Sequence, residues 1–415
     1  MRRLALLSFG LVAAIAPAAE AAPCSTLTNP VFLQVGDTQV NLLRRLGRQL
    51  ANNTPFPITF VFKTSGSCDN VAAAFADTKV TGNMDYIPSS AEDAAWDPTN
   101  ATTSPTKKCD VTNQSLDIVN SALFVSSCPH GLPSDHGLSS TIGPVQAYAI
   151  AVPEASTQTA ITFEEAYFVF GFGTEGMITP WDDQAQHFIR PQSKSTLVTW
   201  ALNLSIPSNK FKNMPACTGS GTGTPIAPCF EGSGGVVTAL KTTATPEKAV
   251  GLLGVEVYDA QRDSLNILAY KSKGQYFAYY PDSTSTSRDK KNVRDGHYTV
   301  WSPTEWMQKV DGAGAPVSAR ANYAINLIVS KDPTADGSPE PNFDPIPSIV
   351  GVGLVPDCAM RVKRDFDGGN LSLYTPSQSC VCEFEALTAT SSCQTCANGE
   401  TCSSGVCRKG FCEAF

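Results

Sequence analysis

The chain has 415 residues, with 30 Lys and Arg against 38 Asp and Glu and a formal net charge of -8. No long basic stretch offsets that balance, which argues against nonspecific nucleic-acid binding. Charged residues make up only 16%, while Gly numbers 31 and Pro 29, so long, lightly charged connections are expected in place of a long-helix scaffold.

The N-terminus reads as an export leader over residues 1–21. Arg2 and Arg3 precede an apolar run from Leu4 to Pro17, and Ala19-Glu20-Ala21 offers small residues for cleavage. Cys24 follows Ala22-Pro23 without a convincing lipobox, so a soluble periplasmic or extracellular product is expected ahead of a surface-anchored one. No later segment is long and apolar enough to span a membrane. The mature length of about 394 residues suffices for two packed lobes.

A first lobe is expected over residues 22–152. Val31 to Val35 (VFLQV) reads as a strand, Gly36 and Asp37 as its exit, and QVNLLRRLGRQLAN as an amphipathic helix capped by Thr38. ITFVF from Ile58 supplies a second strand, and the Ser/Gly loop after it leads into another helix. Asp77 to Tyr86 returns to the sheet, Ser89 to Asp110 reads as a Pro/Thr/Asn-rich loop, and Ser115 to Phe124 and Val145 to Val152 read as strands.

A second lobe is expected over residues 153–270. Thr162 and Glu165 have the capping-box spacing at the start of a helix carrying Tyr167, Phe168 and Phe170, which are read as packing aromatics. PQSKSTLVTWALNL reads as a polar loop and a helix, Gly234 to Leu240 as a small helix, and AVGLLGVEVY as a strand or strand and turn. ILAYKSKGQYFAYY reads as two strands around Gly274. Residues 271–357 return to the first lobe through Gly296 to Trp306 and a helix over Ala319 to Val329, with a loop over Asp332 to Pro347. These alternations favour an α/β fold.

Fourteen cysteines in an exported chain predict disulfides. Cys217 and Cys229 bracket a Gly/Thr/Pro-rich loop and form a plausible local pair. Eight cysteines fall from Cys358 to Cys412, which predicts a separate stapled appendage over residues 358–415, where cross-links replace a missing core. Zinc thiolates at Cys393, Cys396, Cys402 and Cys407 are the less favoured reading.

Four loops carry the candidate ligand-binding residues: Asp37 and Thr38; Thr64, Ser65, Gly66 and Ser67; Ser89 and Ser90; and Arg190 with Ser193, Lys194, Ser195 and Thr196. Hydroxyls and N–H groups at helix starts can donate several hydrogen bonds to an oxyanion, and a guanidinium can add a two-pronged bond. Each loop alone is explained by helix capping; their repetition favours a ligand cleft.

These segments resemble the phosphate-binding, PstS-like class of periplasmic solute-binding proteins over about Val31 to Glu305. The likeness is strongest in VFLQVGDTQVNLLRRLGRQLAN and ITFVFKTSGSCDNVAAAF, with MDYIPSS, ITFEEAYFVFG and AVGLLGVEVYDAQRDSLNILAY in support. It implies a two-lobed periplasmic-binding-protein-like fold joined by crossing strands, enclosing phosphate or a related small oxyanion, without a cofactor and serving a membrane transporter. RPQSKST resembles the family's Arg-x-Asp-Gly-Ser-Gly-Thr loop at Arg190 and Thr196, with Gln192, Ser193, Lys194 and Ser195 in place of the residues between. Lys194 adds attraction for an anion, and Ser90 falls near a family Asp that accepts a proton from hydrogen phosphate.

Enzymatic readings are weaker. Ser65-Gly66-Ser67 lacks the Gly-x-Ser-x-Gly elbow, Glu164 and Glu165 are adjacent and read as a helix start, and His130 and His136 with nearby Asp135 could form only part of a metal site, a polar loop around Cys128 being the more economical reading. The chain is therefore expected to be a non-enzymatic exported solute-binding protein. A cell-surface structural or protein-interaction protein that retains the scaffold is the alternative.

Overall fold

The computed structural model describes residues 21–128, 137–219, 223–389, 391–397, 400–403 and 405–413. The expected leader, apart from Ala21, and the group His130, Asp135 and His136 lie outside these residues.

In the first lobe, β1 (Pro30–Gly36), α1 (Val40–Ala51), β2 (Thr59–Ser65), α2 (Ser67–Phe75), β3 (Val80–Tyr86), β4 (Lys107–Gln114) and β5 (Ile118–Ser121) lead to β6 (Leu138–Pro153). The second lobe holds β7 (Ala160–Thr162), α3 (Phe163–Phe172), β8 (His187–Phe188), α4 (Ser195–Leu204), α5 (Met214–Cys217), α6 (Ser233–Thr242), β9 (Val250–Gly254), α7 (Val255–Asp259), β10 (Leu265–Ile267) and β11 (Ala269–Lys271). After α8 (Lys291–Arg294), β12 (Trp301–Lys309) re-enters the first lobe, followed by α9 (Ala319–Ile328) and α10 (Ile346–Val350). The C-terminal segment contains β13 (Val362–Lys363), β14 (Ser372–Leu373), α11 (Val381–Thr388), β15 (Val406–Arg408) and β16 (Phe411–Glu413).

The two-lobed α/β fold is the one observed. One sheet runs in the order β4-β3-β2-β1-β5-β12-β6-β9-β8, with β10 also on β6. Strand β6 joins the lobes: Leu138 to Ala147 pair with β12, whereas Tyr148 to Ala151 pair with β9. Its stretch GPVQAYAIAVP is buried throughout, as expected of a strand covered on both faces.

Alternation along β1 and β2 divides the first-lobe core. Val31, Leu33, Val35, Phe60 and Phe62 pack with Leu42, Leu43, Leu46 and Leu50 of α1, while Phe32 and Val61 face Val71 of α2. Each fully buried Leu contributes about 1.5–3 kcal/mol relative to exposure. Arg44, also on α1, is buried and donates to the carbonyl oxygens of Asp97, Pro98, Asn100 and Ser104 while lying over Trp96. That one side chain orders much of a loop with little core of its own.

Several local expectations change. Lys107 to Gln114 form β4, although Lys107 to Asp110 read as loop; their pairing with β3 supplies the order that the polar sequence does not advertise. Thr38 does not cap α1, because Asp37–Gln39 form a 3-10 turn and the Thr38 hydroxyl turns to Gln146. The capping box at Thr162 and Glu165 is present. Phe170 is buried, whereas Phe168 is 40% exposed. Around Gly274 (φ +82°), β11 pairs with β7, and Tyr270 bridges to Tyr279 in place of a longer hairpin.

All fourteen cysteines are paired, including Cys217–Cys229; the others are Cys24–Cys109, Cys68–Cys128, Cys358–Cys380, Cys382–Cys393, Cys396–Cys407 and Cys402–Cys412. The disulfide-rich C-terminal segment is less separate than expected: Cys358, Cys380 and Phe384 belong to the second-lobe core. Among the described residues, no helix is long and apolar enough to cross a membrane.

Candidate functional site

Parallel pairing of β1 with β2 aligns Gly36 with Ser65, which sets Asp37 and Gly66 at the same edge of the first-lobe sheet. From the second lobe, Arg190 follows β8, and Lys194 is the N-cap of α4. The two groups meet between the lobes.

Arg190 is 1% exposed, and its Nη2 donates to Asp37 Oδ2 and Oδ1 at 3.0 and 3.2 Å. Nη1 donates to Ser233 Oγ at 2.5 Å, and Nη2 also reaches the Glu231 carbonyl oxygen at 2.7 Å. Ser233 opens α6, and its backbone N–H and hydroxyl approach Asp37 Oδ2 at 3.4 and 3.3 Å. The carboxylate of one lobe therefore lies at a helix start beside a buried guanidinium of the other, an anion-holding arrangement. Burial pushes the pKa of Asp37 up, but the charges of Arg190 and Lys194 and the hydrogen bonds from Arg190 and Ser233 hold it below the usual carboxylate value. Lys194, itself buried, pairs with the exposed carboxylate of Glu231.

The second contact lies at the start of α2. Gly66 is its N-cap, and Cys68 N donates to the Ser193 carbonyl oxygen at 3.3 Å. A Cβ on Gly66 would stand 2.8 Å from that oxygen, so the approach of the two loops requires glycine. A main-chain acceptor of the protein thus occupies the helix end at which an anion was expected. Beside it, a cavity of about 280 Å³ is lined by Cys68, Asp69, Gln192 and Ser193.

The other candidate residues have varied placements. Ser67 Oγ accepts from Ala122 N at 3.0 Å, within the first lobe. Ser195 meets the phenol of Tyr148, and Thr196 is buried in the first turn of α4. Ser65 is half-buried and Thr64 exposed at the end of β2. Ser89 and Ser90 do not join the set. Strand β3 runs antiparallel to β2, with Val61 opposite Tyr86, so the chain after Tyr86 emerges at the far end of the sheet. Ser90 N and Oγ are held there by Asn52, beyond the C-terminal end of α1.

A buried polar chain behind Asp37 was not anticipated. Gln146 on β6 accepts from Gln39 Nε2 at 2.8 Å and from Thr38 Oγ1 at 3.3 Å, and its Nε2 donates to Glu256 Oε1 at 3.0 Å. Burial pushes the Glu256 pKa up to about 8, with the charges of Asp37 and Asp259 adding to the rise. At neutral pH Glu256 is therefore predominantly an acid, not a carboxylate. Its Oε2 has no partner among the described residues. Ser233 and Glu231 were legible in principle: Glu231-Gly232-Ser233 before α6 repeats the Ser65-Gly66-Ser67 pattern before α2. Gln146 and Glu256 stand out only as polar interruptions of apolar runs.

No protein-family model matches the chain, and no curated protein matches it. Solved structures share its general chain path. One, from Clostridium perfringens, is assigned as a phosphate ABC transporter substrate-binding protein with bound phosphate; it is 12% identical with a TM-score of 0.49, over 79% of this chain and 99% of that one. An ABC-type phosphate transport receptor from Vibrio cholerae is 13% identical with a TM-score of 0.44, over 79% and 100%. PstS from Borrelia burgdorferi is 13% identical with a TM-score of 0.39, over 79% and 99%. The likeness is one of chain path and assigns no ligand to this chain.

Proposed function

We propose that this chain is an exported solute-binding protein that captures phosphate or a related small oxyanion between its lobes. The supporting observation is the convergence of Arg190 with the Ser233 N–H and hydroxyl on a single carboxylate from the opposite lobe. Donors that hold the Asp37 carboxylate have the chemistry to hold an oxyanion in its place, and Lys194 adds positive charge nearby. Binding requires no redox or group-transfer step. It works by favouring the closed arrangement, and delivery to a membrane transporter follows from that change of shape.

In this reading residues 22–152 and 153–270 form the lobes, residues 271–357 the return, and residues 358–415 a cysteine-rich segment. Asp37, Gly66, Arg190 and Lys194 stay in the proposed site, Ser233 joins them, and Ser90 leaves it.

A cell-surface structural or protein-interaction role is the second reading. It is favoured by one feature: Arg190 and the start of α2 already have acceptors supplied by the protein itself. Calorimetric titration of the mature protein with phosphate, sulfate and methylphosphonate separates the two. Saturable heat that Arg190→Ala abolishes supports solute capture; its absence with the intact protein supports the structural role.

A further inference from the structure

A second cavity, of about 350 Å³, lies away from Asp37, where β6 and β12 meet the C-terminal segment. Its apolar lining includes Phe124, Ile142, Trp301, Pro303 and Met360, and Ile142 is 41% exposed. The volume is within the range of small-molecule sites.

Arg364 also lines this cavity and is only 6% exposed. Its guanidinium lies over the Trp301 ring at 3.9 Å, with Nη1 donating to the Trp301 carbonyl oxygen at 3.1 Å and Nη2 to that of Thr299 at 3.0 Å. Those neutral acceptors use two of its five N–H groups, and Nε has no partner. Among the described residues, no carboxylate forms an ion pair with it. Burial lowers its pKa to about 10, and Asp367 is the acid whose charge acts against that fall. Asp367 makes no hydrogen bond to Arg364: its Oδ2 accepts from Phe124 N at 2.9 Å and Ser127 Oγ at 2.6 Å, and its Oδ1 has no partner among the described residues. A buried cation without an ion-paired carboxylate carries a desolvation cost that the charge of Asp367 offsets only in part.

We propose that this cavity binds a small amphipathic monocarboxylate, with its carboxylate beside Arg364 and its apolar body against Trp301, Ile142, Pro303 and Met360. The apolar walls disfavour a bare inorganic anion. Asp357, held by the Tyr374 hydroxyl at 2.6 Å, and the exposed Asp365 and Lys363 also line the cavity; with Arg364 the two cations match the two acids, so the lining offers no surplus of positive charge for a second negative group. The alternative is that Arg364 only ties β12 to the C-terminal segment, and this makes a different prediction.

The test uses the full mature protein with hexanoate and benzoate, against hexan-1-ol and inorganic phosphate, read by calorimetry and by the side-chain indole resonance of Trp301, assigned with Trp301→Phe. The expected result is saturable binding of both carboxylates that shifts this resonance, persists in Arg190→Ala and weakens at least tenfold in Arg364→Gln. Ile142→Glu places a negative charge at the exposed edge of the cavity; it should weaken the carboxylates similarly, and serves if Arg364→Gln does not fold. No saturation, equal binding of hexan-1-ol and hexanoate, or a folded Arg364→Gln or Ile142→Glu protein that binds like the parent overturns the proposal.

Discussion

The carboxylate of Asp37 crosses the lobe interface to meet Nη2 of Arg190 at 3.0 and 3.2 Å, so each lobe supplies one half of an ion pair. The partners differ in their surroundings. Arg190 is enclosed, with Ser233 and Glu231 as further acceptors, whereas the Asp37 side chain is 32% exposed.

That asymmetry predicts unequal effects of the two neutral variants. Asp37→Asn leaves Arg190 as an enclosed cation with only neutral acceptors and should lower stability by about 3 kcal/mol. Arg190→Gln leaves a carboxylate that water reaches and should cost less, about 1 kcal/mol. Urea unfolding of both variants and the double variant measures the coupling. Losses that simply add would show that the pair does not act as a unit.

Asp37 and an incoming oxyanion would use the same donors. Asp37→Asn should therefore tighten phosphate binding, by about tenfold if removing the competing carboxylate is worth about 1.4 kcal/mol. Titration of this variant beside the parent checks the point. Weaker binding would instead assign Asp37 to contact with the solute.

Glu256 predicts a pH dependence of stability. Its folded pKa, about 8, lies above its ordinary value of 4.5, so the folded state retains a proton that the unfolded state releases. Stability from this group must fall as pH rises from about 4.5 to about 8. Glu256→Gln keeps the acceptor for Gln146 and removes the titration. It should stabilise the protein by on the order of 3 kcal/mol at pH 7 and have little effect at pH 4. Thermal melts at several pH values read this directly, and an unchanged slope in the variant would exclude Glu256 as its source.

For Asp37 the sign is opposite. Its depressed pKa adds stability above the unfolded carboxylate value, about 3.9, and this is lost as pH falls through the lower folded value. Comparing the parent with Asp37→Asn, the difference in stability should shrink as pH falls below about 4. A difference that stays constant down to pH 2 would contradict the assignment.

The Cys217–Cys229 cross-link supports Arg190 indirectly. Ile189 bridges to Cys229, and Phe230 N donates to the Ile189 carbonyl oxygen at 3.0 Å, which holds Arg190 beside Glu231. The double Cys→Ser variant should lose about 3 kcal/mol of stability. It should also bind oxyanions more weakly at temperatures where it remains folded. Unaltered affinity would confine the cross-link to stability alone.

Much of the fold was legible because its signals are local. The leucines of α1, the alternating apolar residues of β1 and β2, and the Thr162–Glu165 box each depend on spacing within a few residues. The site was legible only in part. Parallel pairing sets Asp37 and Gly66 at one edge of the first-lobe sheet, where Asp37 meets Arg190 and Gly66 approaches Ser193, and Ser90 is placed at the other end because β3 runs antiparallel to β2. Strand direction is a property of chain topology, so a Ser-rich loop reads alike at either end of a sheet. The Asp37–Ser233 contact spans 196 residues of sequence, a relation no local pattern encodes.

The disulfides also bear on motion. Two close within the first lobe, one within the second, and four within the C-terminal segment, so no covalent bond links the first lobe to the second outside the main chain. Oxidation can make each lobe stiff while leaving the angle between them to noncovalent forces. Such a molecule can tolerate an oxidising compartment without being locked into a single degree of opening.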